Sequence, residues 1–476
     1  MNMNSQAPSF TAGEIANITG GELLKGSPEV LCKGVSTDSR DIAAGNLFVP
    51  IVGENFDGHD FIERAIQGGA AGVLIQRGKW EKLKDLAIDV PFICVGDTVK
   101  SLGDIASFWR KHFDVPVVAV TGSSGKTTTK EMLASVISLS RNTLKSYGNF
   151  NNLIGLPLTF LQLNDSHEAV IVEMGTNRKG EIERLTHIAD PDIGVITNVG
   201  PAHLEGLKSL EVVAREKGDL FYTMKRDGVA VVNRDDAAIC HVQKQWMGKI
   251  VTFGMGGNAL VRAEGVKTKG EDKTSFVLVI ERKRRRIDIA ALGKHNVSNA
   301  LAAAACSWAL GIKYDQICCG LEEFRQLPGR MSRQLLKNGV SLIDDTYNAN
   351  PASMRAAIET MNEIKGENEI IVVMGDMLEL GNGAAEMHEE MGRLMAERNI
   401  GRIFLKGDLV RFVAEGAEKG ELAKDRIVFP ATPDMVVDYI SSSARRGDSI
   451  LVKGSRGMRM EEYVQAIIKA FGGTGE

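Results

Sequence analysis

Short apolar runs that end in polar residues constrain this chain more than any other feature. They are Val170-Ile171-Val172 before Glu173, Val195-Ile196-Thr197 before Asn198, Leu342-Ile343 before Asp344-Asp345, residues 370–373 before Gly375-Asp376, and Ile450-Leu451-Val452 before Lys453. Helical stretches separate them, the pattern of parallel strands buried on both faces. In open parallel sheets, ligands gather beyond the carboxyl ends of the strands. Glu173, Asn198, Asp345 and Lys453 are therefore site candidates. The plainer alternative is that polar residues simply terminate strands. The expected fold class is α/β.

With 476 residues the chain exceeds one ordinary core, and three domains are expected. The boundaries are read at 1–97, 98–328 and 329–476, the second close to the turn-like Leu327-Pro328-Gly329. The first block mixes short strands such as Asn46-Leu47-Phe48-Val49 with glycine-rich turns and a helical stretch at 60–67. A formal net charge of −4 gives no global pull toward nucleic acid or anionic membrane. No apolar run approaches the roughly 20 residues that span a bilayer. The start, MNMNSQAPSF, lacks a basic segment followed by an apolar one, so a cytoplasmic protein is expected. The six cysteines form no C-x-x-C pair and are read as reduced packing residues. The glycine-rich end at 472–475 reads as a frayed tail.

Residues 117–128, VVAVTGSSGKTT, read as strand, glycine loop and helix. Glycines admit phosphates close to backbone N–H groups, and the helix N-terminus favours their charge. Thr121, Gly122, Ser123, Ser124, Gly125, Lys126, Thr127 and Thr128 thus form a candidate ATP phosphate loop. Lys126 would reach the β- and γ-phosphates, and the Thr127 hydroxyl would hold Mg²⁺. Val120 stands where the full motif has its first glycine.

Mg²⁺ prefers oxygen ligands and keeps several waters, so Glu173 at its strand end is the best carboxylate candidate. His203, on the turn-rich loop TNVGPAH at 197–203, reads alone as a capping or packing residue. At 294–299 the sequence KHNVSN opens a helix; Asn296 is either an N-cap, as Ser298 could be, or an adenine contact. The basic run at 282–286 reads as the solvated end of a β-hairpin.

Together these segments resemble the Mur ligase family of peptidoglycan synthesis along nearly the whole chain. The shared marks are TGSSGKTTTKE at 121–131, the Glu173 strand end, Asn198 with His203, HNVSN at 295–299, PGRM at 328–331 and DDTYNANP at 344–351. GNFNNLIGLP at 148–157, EMGTN at 173–177, YNANPASM at 347–354 and MGDMLELG at 374–381 narrow it to the branch that adds D-alanyl-D-alanine. STDSR at 36–40 and ENFDGHDF at 54–61 look like the family's uridine-nucleotide domain, and the D-N-P-R motif of the ligase that adds the third residue is absent.

The resemblance implies a small uridine-nucleotide domain, a central ATPase domain of P-loop type and a Rossmann-like third domain. It implies a bacterial cytoplasmic enzyme, expected as a monomer. Its substrates would be UDP-N-acetylmuramoyl-tripeptide, D-alanyl-D-alanine and ATP, with two Mg²⁺ ions. The tripeptide carboxylate would become an acyl phosphate, which the dipeptide amine attacks. Thr127 and Glu173 would hold one Mg²⁺ and His203 a second; Asn296 and Asp345 would bind adenine and ribose, and Arg330 a phosphate. Lys217 matches the lysine that many members carry as a carbamate near the metal; the alternative is a surface lysine on a helix. Ser39, Arg40, Asp57, His59, Asn151, Asn152, Tyr347, Asn348 and Asn350 are implied substrate contacts, and Lys453 matches a lysine of the last domain.

Taken alone, the loop would also suit a phosphotransferase acting on a hydroxyl, or a nucleotide switch. Polar strand ends in both later blocks favour a cleft closed by two domains, and therefore chemistry.

Overall fold

The computed structural model describes residues 7–84, 89–269 and 272–473, so the end of the glycine-rich tail lies outside the described residues. The apolar runs form strands as their pattern requires. In the middle domain they build a nine-stranded sheet in the order Thr143–Lys145, Ala169–Glu173, Val117–Thr121, Ile193–Ile196, Val229–Asn233, Lys249–Gly254, Val261–Lys269, Lys273–Ile280 and Lys283–Ile289. The first seven are parallel, and the last two pairings are antiparallel. Register sets Glu173 opposite Val120 and Ile196 opposite Thr121, so three strands end at one level, where the phosphate loop begins.

The basic run is not confined to a hairpin tip. Arg284, Arg285 and Arg286 lie within the edge strand Lys283–Ile289, where Arg284 pairs with Glu264 and Arg285 with Glu322. Charged edge residues of this kind discourage pairing with another chain.

The C-terminal sheet runs Ser332–Leu335, Ser341–Asp345, Ser449–Lys453, Ile370–Gly375, Arg402–Lys406 and Ile427–Val428, parallel except for its first strand. Asp345 and Lys453 are register partners at the ends of adjacent strands. The N-terminal domain carries a five-stranded sheet, Glu22–Lys25, Phe92–Val95, Gly72–Gln76, Leu47–Phe48 and Val35–Ser36, beside a two-stranded ribbon.

Core packing divides the molecule unequally. One apolar core runs from Phe10, Ile15 and Leu74 in the N-terminal domain, through Leu102 and Ile105, to Val117 and Val172 under the middle sheet. Helix Thr98–Arg110 bridges it, with Trp109 Nε1 donating to the Leu163 carbonyl. Each such buried aliphatic side chain contributes roughly 1.5–3 kcal/mol, so the shared core stabilises the contact between these two domains. The two cores of the C-terminal sheet share no residue with it. That domain meets the middle one across polar contacts at the strand ends.

Candidate active site

Those contacts enclose a polar cleft of about 570 Å³, of a size suited to a nucleotide and part of a second ligand. The phosphate loop forms its floor. Gly125 has φ 77° and Gly122 φ 150°; a Cβ would meet Asn299 Oδ1 at 2.2 Å in the first case and Thr197 Oγ1 at 1.9 Å in the second. Only glycine fits at either place. Asn198 shapes the loop from the neighbouring strand end: its carbonyl accepts from Ser123 N at 3.0 Å and its Oδ1 from Ser124 N at 3.0 Å. Helix Lys126–Ile137 then begins without a side-chain cap, leaving its first N–H groups to an anion.

Ser123 to Thr128 line the cleft, whereas Thr121 and Gly122 lie beneath it. Lys126 Nζ donates to the Gly122 carbonyl at 2.8 Å. Burial pulls its ammonium below the ordinary lysine range, Glu173 opposes that and Arg330 adds to it. Thr127 Oγ1 donates to Glu173 Oε2 at 2.8 Å and accepts from Arg330 Nη2 at 2.7 Å. Asn151 Nδ2 donates to Glu173 Oε1 at 2.8 Å. One carboxylate and one hydroxyl in contact form a hard oxygen set that fits Mg²⁺, whose remaining ligands are usually phosphate and water. Among the described residues no group of three or more His, Cys, Asp or Glu gathers as a metal cage.

From the opposite side come Arg330, Asp345, Tyr347, Asn348, Asn350 and Lys453. Arg330 stacks over the Tyr347 ring at 4.0 Å while reaching Thr127, so one guanidinium joins the two domains. Asn350 caps helix Pro351–Ile364 through its Oδ1 and donates from Nδ2 to the Ser123 carbonyl at 3.3 Å. Lys453, fully buried, lies 2.5 Å from Asp345 Oδ2 and 3.0 Å from the Asn348 carbonyl. Burial raises the Asp345 carboxyl, with Lys453 the main opposing charge.

The N-cap of helix Lys294–Ala309 is Gly293, not Asn296 or Ser298. Asn296 instead donates to the Leu292 carbonyl at 2.8 Å from within the first turn and lines the cleft, which leaves the adenine reading standing. Beside it the His295 ring is pushed down to about 4, by burial first and then by Lys453. Asn152 lines the cleft while its Oδ1 caps the start of helix Gly155–Phe160.

Lys217 is no surface lysine. It is fully buried on helix Leu210–Thr223, outside the cleft lining, and its side chain makes no hydrogen bond or ion pair among the described residues. Burial and then the Lys126 charge pull its ammonium down to about 7, against the opposing Glu216. Glu216 itself is occupied, accepting from Gly180 N, Ile182 N and the Thr176 hydroxyl.

The fold does not bring Ser39, Arg40, Asp57 or His59 to this cleft. Arg40 is held in a bidentate pair with Asp38. Asp57 binds His59 Nδ1 at 2.6 Å and Lys79 at 2.7 Å, while His59 Nε2 accepts from Gln76 N. Both nitrogens of that buried ring are engaged within the N-terminal domain.

Comparison with known proteins agrees with the architecture. Residues 32–110 match the Mur ligase catalytic domain, 120–307 the Mur ligase middle domain and 329–456 the Mur ligase glutamate ligase domain. The UDP-N-acetylmuramoyl-tripeptide–D-alanyl-D-alanine ligase of Bacillus subtilis is 36% identical over 461 residues, covering 97% of this chain and 98% of its own. The chain belongs to the Mur ligase family. The Escherichia coli ligase of the same name is 34% identical, covering 96% and 98%. A crystal structure of MurF from Acinetobacter baumannii superposes on this Mur ligase with TM-score 0.88 at 30% identity, covering 98% and 100%. The Thermotoga maritima MurF ligase solved with ADP gives TM-score 0.82 at 28% identity, covering 92% and 97%. As a Mur ligase with three α/β domains, the chain is an ATP-dependent ligase.

Several residues of the cleft were not singled out in the sequence. Asn149, Thr176, Asn177, Glu181 and Asn233 line it, and Asn299 supports Gly125. Asn149, Thr176 and Asn177 stand beside Asn151 and Glu173 in the chain, a local signal. Glu379 binds His203 from the C-terminal domain at 2.5 Å, and no local pattern marks it as that residue's partner.

Proposed function

We propose that this ligase joins D-alanyl-D-alanine to UDP-N-acetylmuramoyl-tripeptide with ATP, by way of an acyl phosphate, in peptidoglycan precursor synthesis. The observation that carries the reading is the closed cleft, in which Arg330 of the C-terminal domain reaches Thr127 of the phosphate loop. Relatives bearing that activity in their names match nearly the whole chain.

A carboxylate is a poor acyl donor until one of its oxygens becomes a leaving group. The loop N–H groups and Lys126 bind the ATP phosphates, and Arg330 neutralises charge from the far side as the tripeptide carboxylate oxygen attacks the γ-phosphorus and ADP leaves. Thr127 and Glu173 would hold Mg²⁺, with His203 toward a second ion; such ions spread the negative charge of the phosphates. Asn151 fixes the Glu173 carboxylate, and Asn198 fixes the loop. The dipeptide amine then attacks the acyl carbon, loses a proton, and phosphate departs as the amide forms. Closure excludes water from the acyl phosphate. Most of the catalysis is positioning and charge neutralisation.

Phosphate release tests this reading. It should require both the UDP-muramoyl tripeptide and D-alanyl-D-alanine, with single amino acids failing to compete as acceptor. Release with either substrate alone would count against it.

A further inference from the structure

Two left-handed residues from different domains meet at the rim of the cleft. His203, φ 56°, ends the loop after strand Ile193–Ile196 and precedes the short helix Leu204–Leu207, which its side chain does not cap. Glu379, φ 61°, lies in the loop after strand Ile370–Gly375. Non-glycine residues adopt this conformation at a cost and persist in it where their surroundings hold them. Here each holds the other. His203 Nδ1 lies 2.5 Å from Glu379 Oε2, and the Glu205 N–H donates to the Glu379 carbonyl at 3.1 Å.

We propose that Glu379 is a positioning residue for His203, acting only while the C-terminal domain is closed. The inference rests on the proposed function for the purpose His203 serves, but not for the clasp itself. His203 lines the cleft. Among the described residues its ring has no other hydrogen-bond partner. A carboxylate at Nδ1 selects the tautomer protonated there and leaves the Nε2 lone pair for the ligand side. Among the described residues the middle domain supplies no group that makes this choice. Opening the C-terminal domain would withdraw Glu379, and the choice with it. The C-terminal cores are separate from those of the other domains, and the clasp is among the polar contacts that opening would break. Closure thus completes the His203 site at the moment the reactive carboxyl is shielded from water.

The test uses the full chain and the variants E379A and E379Q. Losing a partner that orients a ligand ring lowers activity about 10–100-fold. E379A should therefore lose that much in kcat, with KM for ATP and for the UDP-tripeptide unchanged within about twofold. Glutamine keeps the length and an oxygen that accepts the same N–H, so E379Q should return to within about threefold of the native chain. Glu379 is half exposed, so neither change threatens folding. The second readout is the ¹⁵N spectrum of the histidine rings with a non-hydrolysable ATP analogue and no divalent cation, because a metal at Nε2 would itself fix the Nδ1–H tautomer; the His203 signal is assigned by its absence in H203Q. Native chain and E379Q should show His203 protonated at Nδ1, and E379A should not. An E379A enzyme within about twofold of native kcat, an E379Q as impaired as E379A, or an unchanged tautomer in E379A would each overturn the proposal. If the native chain forms no amide, the proposed function fails, while the spectra still decide the clasp.

Discussion

Replacing Asp345 by alanine asks what the pair at the ends of strands Ser341–Asp345 and Ser449–Lys453 contributes. Lys453 Nζ sits 2.5 Å from Asp345 Oδ2, with its side chain 2% exposed, and otherwise holds only the Asn348 carbonyl. Breaking a buried pair from one side costs about 3–5 kcal/mol, because the remaining charge stays buried. The Met331 N–H also loses its acceptor, Asp345 Oδ1, which adds about 1 kcal/mol. A domain of this size shifts by roughly 2–4 °C per kcal/mol, so the C-terminal transition should fall by roughly 8–24 °C in calorimetry. The double variant Asp345→Ala with Lys453→Met should recover most of that loss, since no unpaired charge remains.

Lys453→Met alone carries a pH signature. Burial already holds the Asp345 carboxyl above its ordinary value, and Lys453 is the main group opposing this. Its removal raises the carboxyl further. A carboxyl raised on folding binds more protons in the folded state, so stability is fullest below the unfolded value and is lost as pH rises through the folded one. The variant should be least destabilised below about pH 4, the ordinary range of an unfolded aspartate, and increasingly destabilised as the pH rises above it. Equal melting of Asp345→Ala and native chains, or a double variant no better than the single, would refute the reasoning.

Lys126→Ala should lower kcat by roughly 10²–10³, as loss of a preorganised charge does; near-normal turnover would remove its assigned role. Arg330→Lys keeps the charge but loses the planar stack on Tyr347, and steady-state kinetics should show about a tenfold drop in kcat/KM. Lys217, held down to about 7 by burial, binds fewer protons folded than unfolded between about pH 7 and 10.5, so its penalty is full below that window and fades across it. Lys217→Met should accordingly melt higher than the native chain at about pH 6.5, with the gain shrinking toward about pH 9; an equal gain at both would contradict the sign.

The phosphate loop was legible because its chemistry is local: glycines, a lysine and a helix start must be adjacent in the chain to cradle phosphate. Glu173, Asp345 and Lys453 were legible for a related reason, since parallel strands end on one side of their sheet. Asn296 was read as a cap or a contact because helix entry and ligand proximity leave the same trace, and only the position of Gly293 separates them. The basic run at 282–286 reads as the solvated end of a β-hairpin, and it does begin at that turn, but only register places most of it on an edge strand.

By itself the sequence determined the α/β class, the phosphate loop and the family, all carried by periodicity and short contiguous motifs. Tertiary structure decided which distant side chains meet. It placed Arg330 on Thr127, Glu379 on His203 and Lys453 on Asp345, it buried Lys217, and it kept Asp57 and His59 within their own domain. The physical reason is that strand and helix patterns report which face of an element is covered, while a contact between loops depends on how whole domains pack. Burial and pairing then set each group's charge, and no residue carries that information in its own neighbourhood of the chain.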